Sequence, residues 1–289
     1  MSDLNALFAL ALTSRGWWGL RPLPRRVAQS SSLMFTLGST LIFALVSIGC
    51  GSHKVDQDVE RAQYHYQLAY GHFSENHNSD AAQQEIIRSV KYNDKNPEAH
   101  LLAGLIYSGR GELLKSIEHY QMALKLKPDF YKAKNNLGTI YLALGNWIKA
   151  VEVFSDLITH DEYTTPAIGF NNLGWAQYKL GRDDEALRSF ITASQLNPRL
   201  CPPHNNVAIL YLKRDDLERA ERSLSRGLRQ CPQYAEPHLH LGRLYAQRGE
   251  VARAAESWAK CHELSSDNDL GLRCARLLRE LHSGAPRAQ

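Results

Sequence analysis

The sequence predicts an all-α fold: a right-handed superhelix of about six helix-turn-helix repeats, closed by one further helix. Three observations predict it. A pattern of small and aromatic residues returns about every 34 residues from Pro97 onward; glycine recurs midway through the unit; proline recurs near its end. Small residues let helices approach closely, aromatics fill the space between them, glycine suits the turn and proline stops the second helix.

Each unit can be read on one scale of positions 1 to 34, with helix A in the first half and helix B in the second. Residues 97–130 place Gly104 at position 8, Tyr107 at 11, Gly111 at 15, Tyr120 at 24, Ala123 at 27 and Pro128 at 32. Residues 131–164 supply Gly138, Tyr141, Gly145, Ala150 and Phe154, with Glu162 in place of the terminal proline and Thr165-Pro166 as an insertion. Residues 167–200 resume with Gly174, Gly181, Ala186, Phe190, Ala193 and Pro198; residues 201–234 carry Ala208, Tyr211, Ala220 and Pro232. Residues 235–268 carry Gly242, Tyr245, Gly249, Ala254 and Trp258. A degenerate first unit over about 62–96 keeps Ala69, Ala82 and Ser89 at the small positions, with one extra residue in its Asn76-His77-Asn78 loop. Residues 269–282 read as an amphipathic capping helix, with Leu272, Leu277, Leu278 and Leu281 against the last repeat, and 283–289 as a disordered tail.

These units resemble the tetratricopeptide repeat, whose arrays are peptide-binding scaffolds and not enzymes. In such repeats helix A positions 2, 5, 9 and 12 form one stripe on the concave face. Here that stripe carries Tyr66, Tyr70 and Phe73, then Leu101 and Leu105, then Lys132, Asn135 and Leu142, then Asn171, Trp175 and Tyr178, then Asn205, Ile209 and Leu212. Large apolar side chains there point to a groove for an apolar partner segment, with packing inside a tight superhelix as the alternative. Asn136, Asn172 and Asn206, all at position 6, form a ladder suited either to a peptide backbone or to holding adjacent helices. A carboxylate-binding face needs several basic residues, and only Lys132 and Arg243 fall on the stripe.

The formal net charge of the 289 residues is +4, much of it from Arg15, Arg21, Arg25 and Arg26 ahead of residue 50. The remainder is nearly neutral with interspersed signs, which argues against nucleic acid as a partner. No histidine, acid or nucleophile pattern forms a catalytic set, Gly109-Arg110-Gly111 is a helix turn and not a phosphate loop, and no metal, cofactor or small-molecule substrate is expected.

Residues 1–49 read as a leader region whose true start lies downstream of Met1. The uncharged run Leu33–Gly49 follows Arg25-Arg26 and suits a secretory signal. Its end, Val46-Ser47-Ile48-Gly49-Cys50, resembles a bacterial lipobox, in which the cysteine is acylated and becomes the first residue; Ser47 departs from the usual leucine. Gly51 after the cysteine implies sorting to the outer membrane. On this reading residues 50–61 are a lipidated, flexible tether and 62–268 the six repeats. Four further cysteines admit disulfides with three pairings: Cys201 and Cys231 lie at adjoining helix ends, Cys261 and Cys274 at the capping interface. Four buried free thiols are the alternative.

A lipobox-like cysteine followed by about six such repeats resembles the PilF/PilW pilotin family, including the Tgl lipoprotein of gliding bacteria. The opening Tyr64-His65-Tyr66-Gln67-Leu68-Ala69 and the repeated Asn-Asn-Leu-Gly at Asn135 and Asn171 add to the resemblance. It implies an outer-membrane lipoprotein that promotes assembly or membrane localisation of the type IV pilus secretin, and so pilus extrusion and twitching or social motility. A cell-envelope adaptor for another assembly is the alternative reading.

Overall fold

The computed structural model describes the backbone of residues 46–75 and 78–283. Thirteen helices and no strand occur among them: α1 Val46–Ser74, α2 Ser79–Tyr92, α3 Pro97–Gly109, α4 Leu113–Leu126, α5 Tyr131–Ala143, α6 Trp147–Leu157, α7 Pro166–Lys179, α8 Asp183–Leu196, α9 Cys201–Lys213, α10 Leu217–Gln230, α11 Glu236–Gln247, α12 Val251–Leu264 and α13 Asp269–Ser283. They form six helical hairpins and a closing helix, divided into two compact units. One ends at Pro128 and contains α1 to α4; the other begins at Asp129 and contains α5 to α13.

Local chemistry sets the helix ends. The side chains of Asn78, Asn96, Asn146 and Asp216 accept backbone N–H bonds at the starts of α2, α3, α6 and α10, satisfying donors that have no partner within the helix. Between helices A and B the chain turns through a left-handed residue, with φ of 77° at Gly111, 71° at Gly145, 75° at Gly181 and 78° at Gly249. The fifth repeat uses Asp215 there, at φ 58°, and its Oδ1 accepts from Gln247 Nε2 at 2.7 Å.

Within each hairpin the closest approach is between position 8 of helix A and position 24 of helix B. A Cβ on Gly138 would lie 2.6 Å from Phe154, and one on Gly174 2.8 Å from Phe190; Gly104 and Gly242 face the rings of Tyr120 and Trp258 as tightly. Each glycine therefore gives up its side-chain volume to a ring from the facing helix. Where position 24 is aliphatic, position 8 regains a methyl: Ala208 accompanies Leu224, and Ala69 accompanies Ile86, all four fully buried. The other small positions close the interfaces around this contact, with Ala123, Ala150, Ala186, Ala193, Ala220 and Ala254 at 0% exposure.

Two bridges join the ends of this packing. Cys201, at the start of α9, is bonded to Cys231, just after α10, with Cα atoms 6.1 Å apart. Cys261 on α12 is bonded to Cys274 on α13 with Cα atoms 6.0 Å apart, which ties the closing helix to the last hairpin. That helix shares a core with Leu239, Leu241 and Leu244 of α11 through Leu277, Leu278 and Leu281.

The flexible tether expected over 50–61 is corrected: α1 is continuous from Val46 to Ser74, so helix A of the first repeat begins well before residue 62. The reason is legible afterwards. Lys54 to Arg61 contains no glycine or proline, and Val55, Val59, Ala62 and Tyr66 continue one helical stripe. The backbone of Cys50 lies in this helix, while its side chain, most of the apolar run Leu33–Gly49, the leader and the 284–289 tail lie outside the described residues. No helix among the described residues is long and apolar enough to cross a membrane.

Two outcomes follow. Gly174→Ala should destabilise the protein by about 1–3 kcal/mol through overpacking, and adding Phe190→Leu should recover much of the loss, as the Ala208 and Leu224 pair does naturally; urea denaturation of the two singles and the double measures the coupling. Reduction of the bridge that closes the 30-residue interval between Cys201 and Cys231 should cost roughly 3–4 kcal/mol in the chain-entropy model. Non-reducing peptide mapping identifies the pairs, and melting with and without reductant measures the cost.

Candidate functional site

The predicted stripe falls into two parts, one in each compact unit. In the first unit Tyr66 and Phe73 of α1 are partly buried and pack on the core of Ala69, Ile86, Leu102 and Ile106. Burial, followed by the nearby Glu98 and Tyr70, raises the pKa of the Tyr66 hydroxyl. Leu101 and Leu105 are half-buried. Tyr70 is the stripe residue that remains open here, at 36% exposure.

In the second unit Trp175 and Tyr178 lie one helical turn apart on α7, with ring centroids 5.5 Å apart, and both pack against Phe190, Val207 and Leu210. Lys179 Nζ stands 4.7 Å from the centroid of the Trp175 ring, so the indole presents an apolar body edged by a cation. Ile209 on α9 is half-buried, whereas Leu142, expected on the stripe, is only 2% exposed and belongs to the core.

Of the two readings of the asparagine ladder, the structure answers with the internal one for Asn172 and Asn206. Asn172 and Asn206 are buried, and their amides bond within the protein: Asn206 Nδ2 donates to Asn171 Oδ1 at 3.0 Å, and Asn171 Nδ2 donates to Asn172 Oδ1 at 3.4 Å. This chain spans helices α7 and α9, and a buried amide already paired across helices is not free for a peptide backbone. Asn205 Nδ2 donates to Glu236 Oε2 at 3.4 Å, while Tyr163 Oη donates to Asn135 Oδ1 at 3.2 Å. Asn136 is half-buried at the start of this unit. Spacing alone could place these amides on one face; it could not tell which way each would turn.

The stripe also continues further than the repeats. Counting from Asp269, α13 occupies the place of another helix A, and Arg273 falls at its position 5, next in line to Arg243 at position 9 of α11. Both arginines are exposed. Desolvation and then the Arg273 charge lower the pKa of Arg243. His240, at the position where other repeats carry asparagine, is pushed down to about 4 by burial first and by Arg243 and Arg273 next. The cap pattern of α13 hides this register; carrying the position count on from Asp269 brings Arg273 to position 5. Among the described residues no group of three or more His, Cys, Asp or Glu is arranged to hold a metal ion.

The tetratricopeptide repeat model matches residues 72–129, 106–165 and 208–262. PilF of Pseudomonas aeruginosa superposes with a TM-score of 0.64 at 17% identity, covering 76% of this chain and 99% of that one. PilW, a type IV pilus biogenesis factor, superposes with a TM-score of 0.65 at 20% identity, covering 74% and 98%. By sequence, the DnaJ homolog subfamily C member 7 homolog of Schizosaccharomyces pombe is 34% identical over 122 residues, 37% of this chain and 26% of that protein. Tetratricopeptide repeat protein 6 of Homo sapiens is 22% identical over 162 residues, 56% of this chain and 30% of that protein. The chain thus spans less than a third of the length of these two relatives, and the likeness to PilF and PilW is one of fold.

Two half-buried imidazoles make stability depend on acid. His119 is lowered to about 4 by burial and then by His100, whose Nδ1 lies 3.0 Å from its own Nδ1; His240 is lowered to about 4 as described. Both take a proton more readily in the unfolded chain, near the ordinary 6.5. Their contribution is therefore complete above about pH 6.5 and is lost as pH falls towards 4, with a slope of at most about 1.4 kcal/mol per pH unit for each. His240→Asn, which restores the residue used in three other repeats, should flatten the fall between about pH 7 and about pH 5. Urea unfolding across that range measures it.

Proposed function

Because this chain belongs to the tetratricopeptide-repeat family, a family of protein-binding scaffolds, we propose that it is an adaptor whose helix A stripe captures a protein segment, and that its setting is type IV pilus assembly. The observation that carries the pilus reading is the match in extent. The hairpins and closing helix cover 99% and 98% of the PilF and PilW chains, and PilW is a type IV pilus biogenesis factor. Two sequence features support the finer reading: the lipobox-like Ile48-Gly49-Cys50 and the first-repeat opening from Tyr64 to Ala69.

On this reading Cys50 is acylated and anchors the protein to the outer membrane, and the partner is the type IV pilus secretin subunit, held before it oligomerises. Attachment would rest on several acyl chains, each buried methylene contributing about 0.8 kcal/mol. Each unit's stripe supplies its own anchors for an apolar segment: Tyr70 and Leu105 in the first unit, Trp175 and Ile209 in the second. An aromatic on such a surface supplies a large contact area with little side-chain entropy to lose.

The test is secretin multimer formation in cells carrying variants at matched protein levels. Trp175→Ala combined with Tyr70→Ala should weaken secretin capture by about 2 kcal/mol or more, and multimers should fall. Circular dichroism separates that effect from loss of fold, because the Trp175 ring also packs against Phe190 of its own hairpin. Cys50→Ala should release the protein from the membrane fraction, and mass spectrometry of the wild type should find a lipid mass on Cys50 with nothing before it. Normal multimers with the double variant would remove the stripe from the mechanism. Normal multimers without the protein would remove the secretin.

A further inference from the structure

Four hairpins of the second unit turn from helix A to helix B, and three of the turns are charged. Leu180-Gly181-Arg182-Asp183-Asp184, Arg214-Asp215-Asp216-Leu217-Glu218 and Arg248-Gly249-Glu250-Val251-Ala252 occupy the same five positions. Their charges are used between hairpins: Arg214 lies 2.7 Å from Asp184, and Arg248 lies 2.5 Å from Glu221. The turn from α5 into α6 reads Leu144-Gly145-Asn146-Trp147-Ile148 and carries no charge. Leu144 is 45% exposed and Ile148 61%. Trp147 is half-buried against the turn, where a Cβ on Gly145 would lie 3.5 Å from its ring. Lys179 Nζ stands 5.9 Å from the centroid of that ring and 4.7 Å from that of Trp175, so one cation joins the tip to the indole of α7.

We propose that this tip, Leu144 to Ile148, enters the surface of an anionic lipid bilayer, with Lys149 and Lys179 lying among the headgroups. The contact is separate from partner capture on the stripe and needs no acyl chain on Cys50.

Shape and charge together select that occupant. A turn between antiparallel helices is convex and has no pocket to receive a partner's side chain, whereas a bilayer closes around whatever enters it. Leucine and isoleucine gain from the acyl region, an indole suits the boundary with its apolar body and its single N–H donor, and lysine lays its stem along apolar surface while its ammonium stays at the headgroups. Both lysines are exposed, and among the described residues neither pairs with a carboxylate. Each stands over a ring instead, Lys149 Nζ at 5.4 Å from the centroid of Tyr141 and Lys179 Nζ over Trp175, so their charge is left to attract anionic lipid. The missing acids matter as much. Position 18 is Asp184 in the next hairpin and Glu218 in the one after, and a carboxylate there would be carried towards lipid phosphates; Ile148 removes that repulsion.

The experiment mixes the full chain with vesicles of phosphatidylcholine and phosphatidylglycerol, with or without bromine on the acyl chains, and reads tryptophan emission. Subtracting the emission of Trp147→Phe isolates the part that belongs to Trp147. That part should fall at least about twofold over the brominated vesicles, as an indole held within the interface would. Leu144→Asp combined with Ile148→Asp should abolish the quenching and leave the melting temperature unchanged, because both side chains are exposed. Lys149→Gln combined with Lys179→Gln should remove the advantage of phosphatidylglycerol over pure phosphatidylcholine, an advantage that salt should also shrink. Equal Trp147 emission over plain and brominated vesicles would overturn the proposal, whether or not the chain stays with them. Quenching that survives the two aspartates would overturn it as well, since the membrane contact would then lie elsewhere. Shielding of Trp147 from aqueous iodide by the secretin subunit, with no quenching by brominated lipid, would assign the tip to protein and overturn the lipid reading. None of these outcomes touches the stripe, whose test reads secretin multimers.

Discussion

The contact on which the rest of the fold depends is a ring seated where a side chain has been omitted. Phe154 over Gly138 and Phe190 over Gly174 bring helix B closer to helix A than two ordinary side chains would permit. At that separation the flanking positions must be small, and Ala150, Ala186 and Ala193 are buried without residue. Volume is conserved across the contact and not residue type, since Ala208 with Leu224 and Ala69 with Ile86 solve the same problem by trading ring for methyl. A close-packed interface of this kind has two discrete components that must change together, which is why single substitutions there cost more than their size suggests.

Once the hairpins are spaced in this way, polar side chains take up the work of aligning one hairpin with the next. The chain from Asn206 through Asn171 to Asn172 is buried and joins α9 to α7. Exposed pairs such as Arg214 with Asp184 span the same kind of interval at the rim. Exposed ion pairs contribute little individually, so the buried amides carry more of the alignment. Function is then left to side chains that keep an accessible face: Tyr70, at 36% exposure, and the indole of Trp175 with its lysine.

This division explains why scaffold and site differ in legibility. Gly138 and Phe154 lie on consecutive helices of one hairpin, so their sequence offset already implies contact. Asn206 and Asn171 are 35 residues apart, on helices of different hairpins, and whether an amide there turns inward depends on the rotation between repeats. The same positions read as a ligand ladder in one rotation and as an internal strut in another. Leu142 likewise moved from the stripe to the core, because a position number specifies a face of a helix and not how closely the next helix covers it.

The sequence by itself determined the class of the fold, the number of hairpins, the residues that turn between helices and the small positions that receive rings, all of which are encoded at short and regular offsets. It also placed Cys201 beside Cys231 and Cys261 beside Cys274 as pairs that could close, with free thiols equally open. Only the tertiary structure decided that those cysteines are bridged, that α1 runs back through the expected tether and that the buried asparagines bond one another. The physical reason is range. Periodicity records what a helix needs from its immediate neighbour, whereas the pairing of polar and charged groups is settled by distances between elements that no local pattern contains.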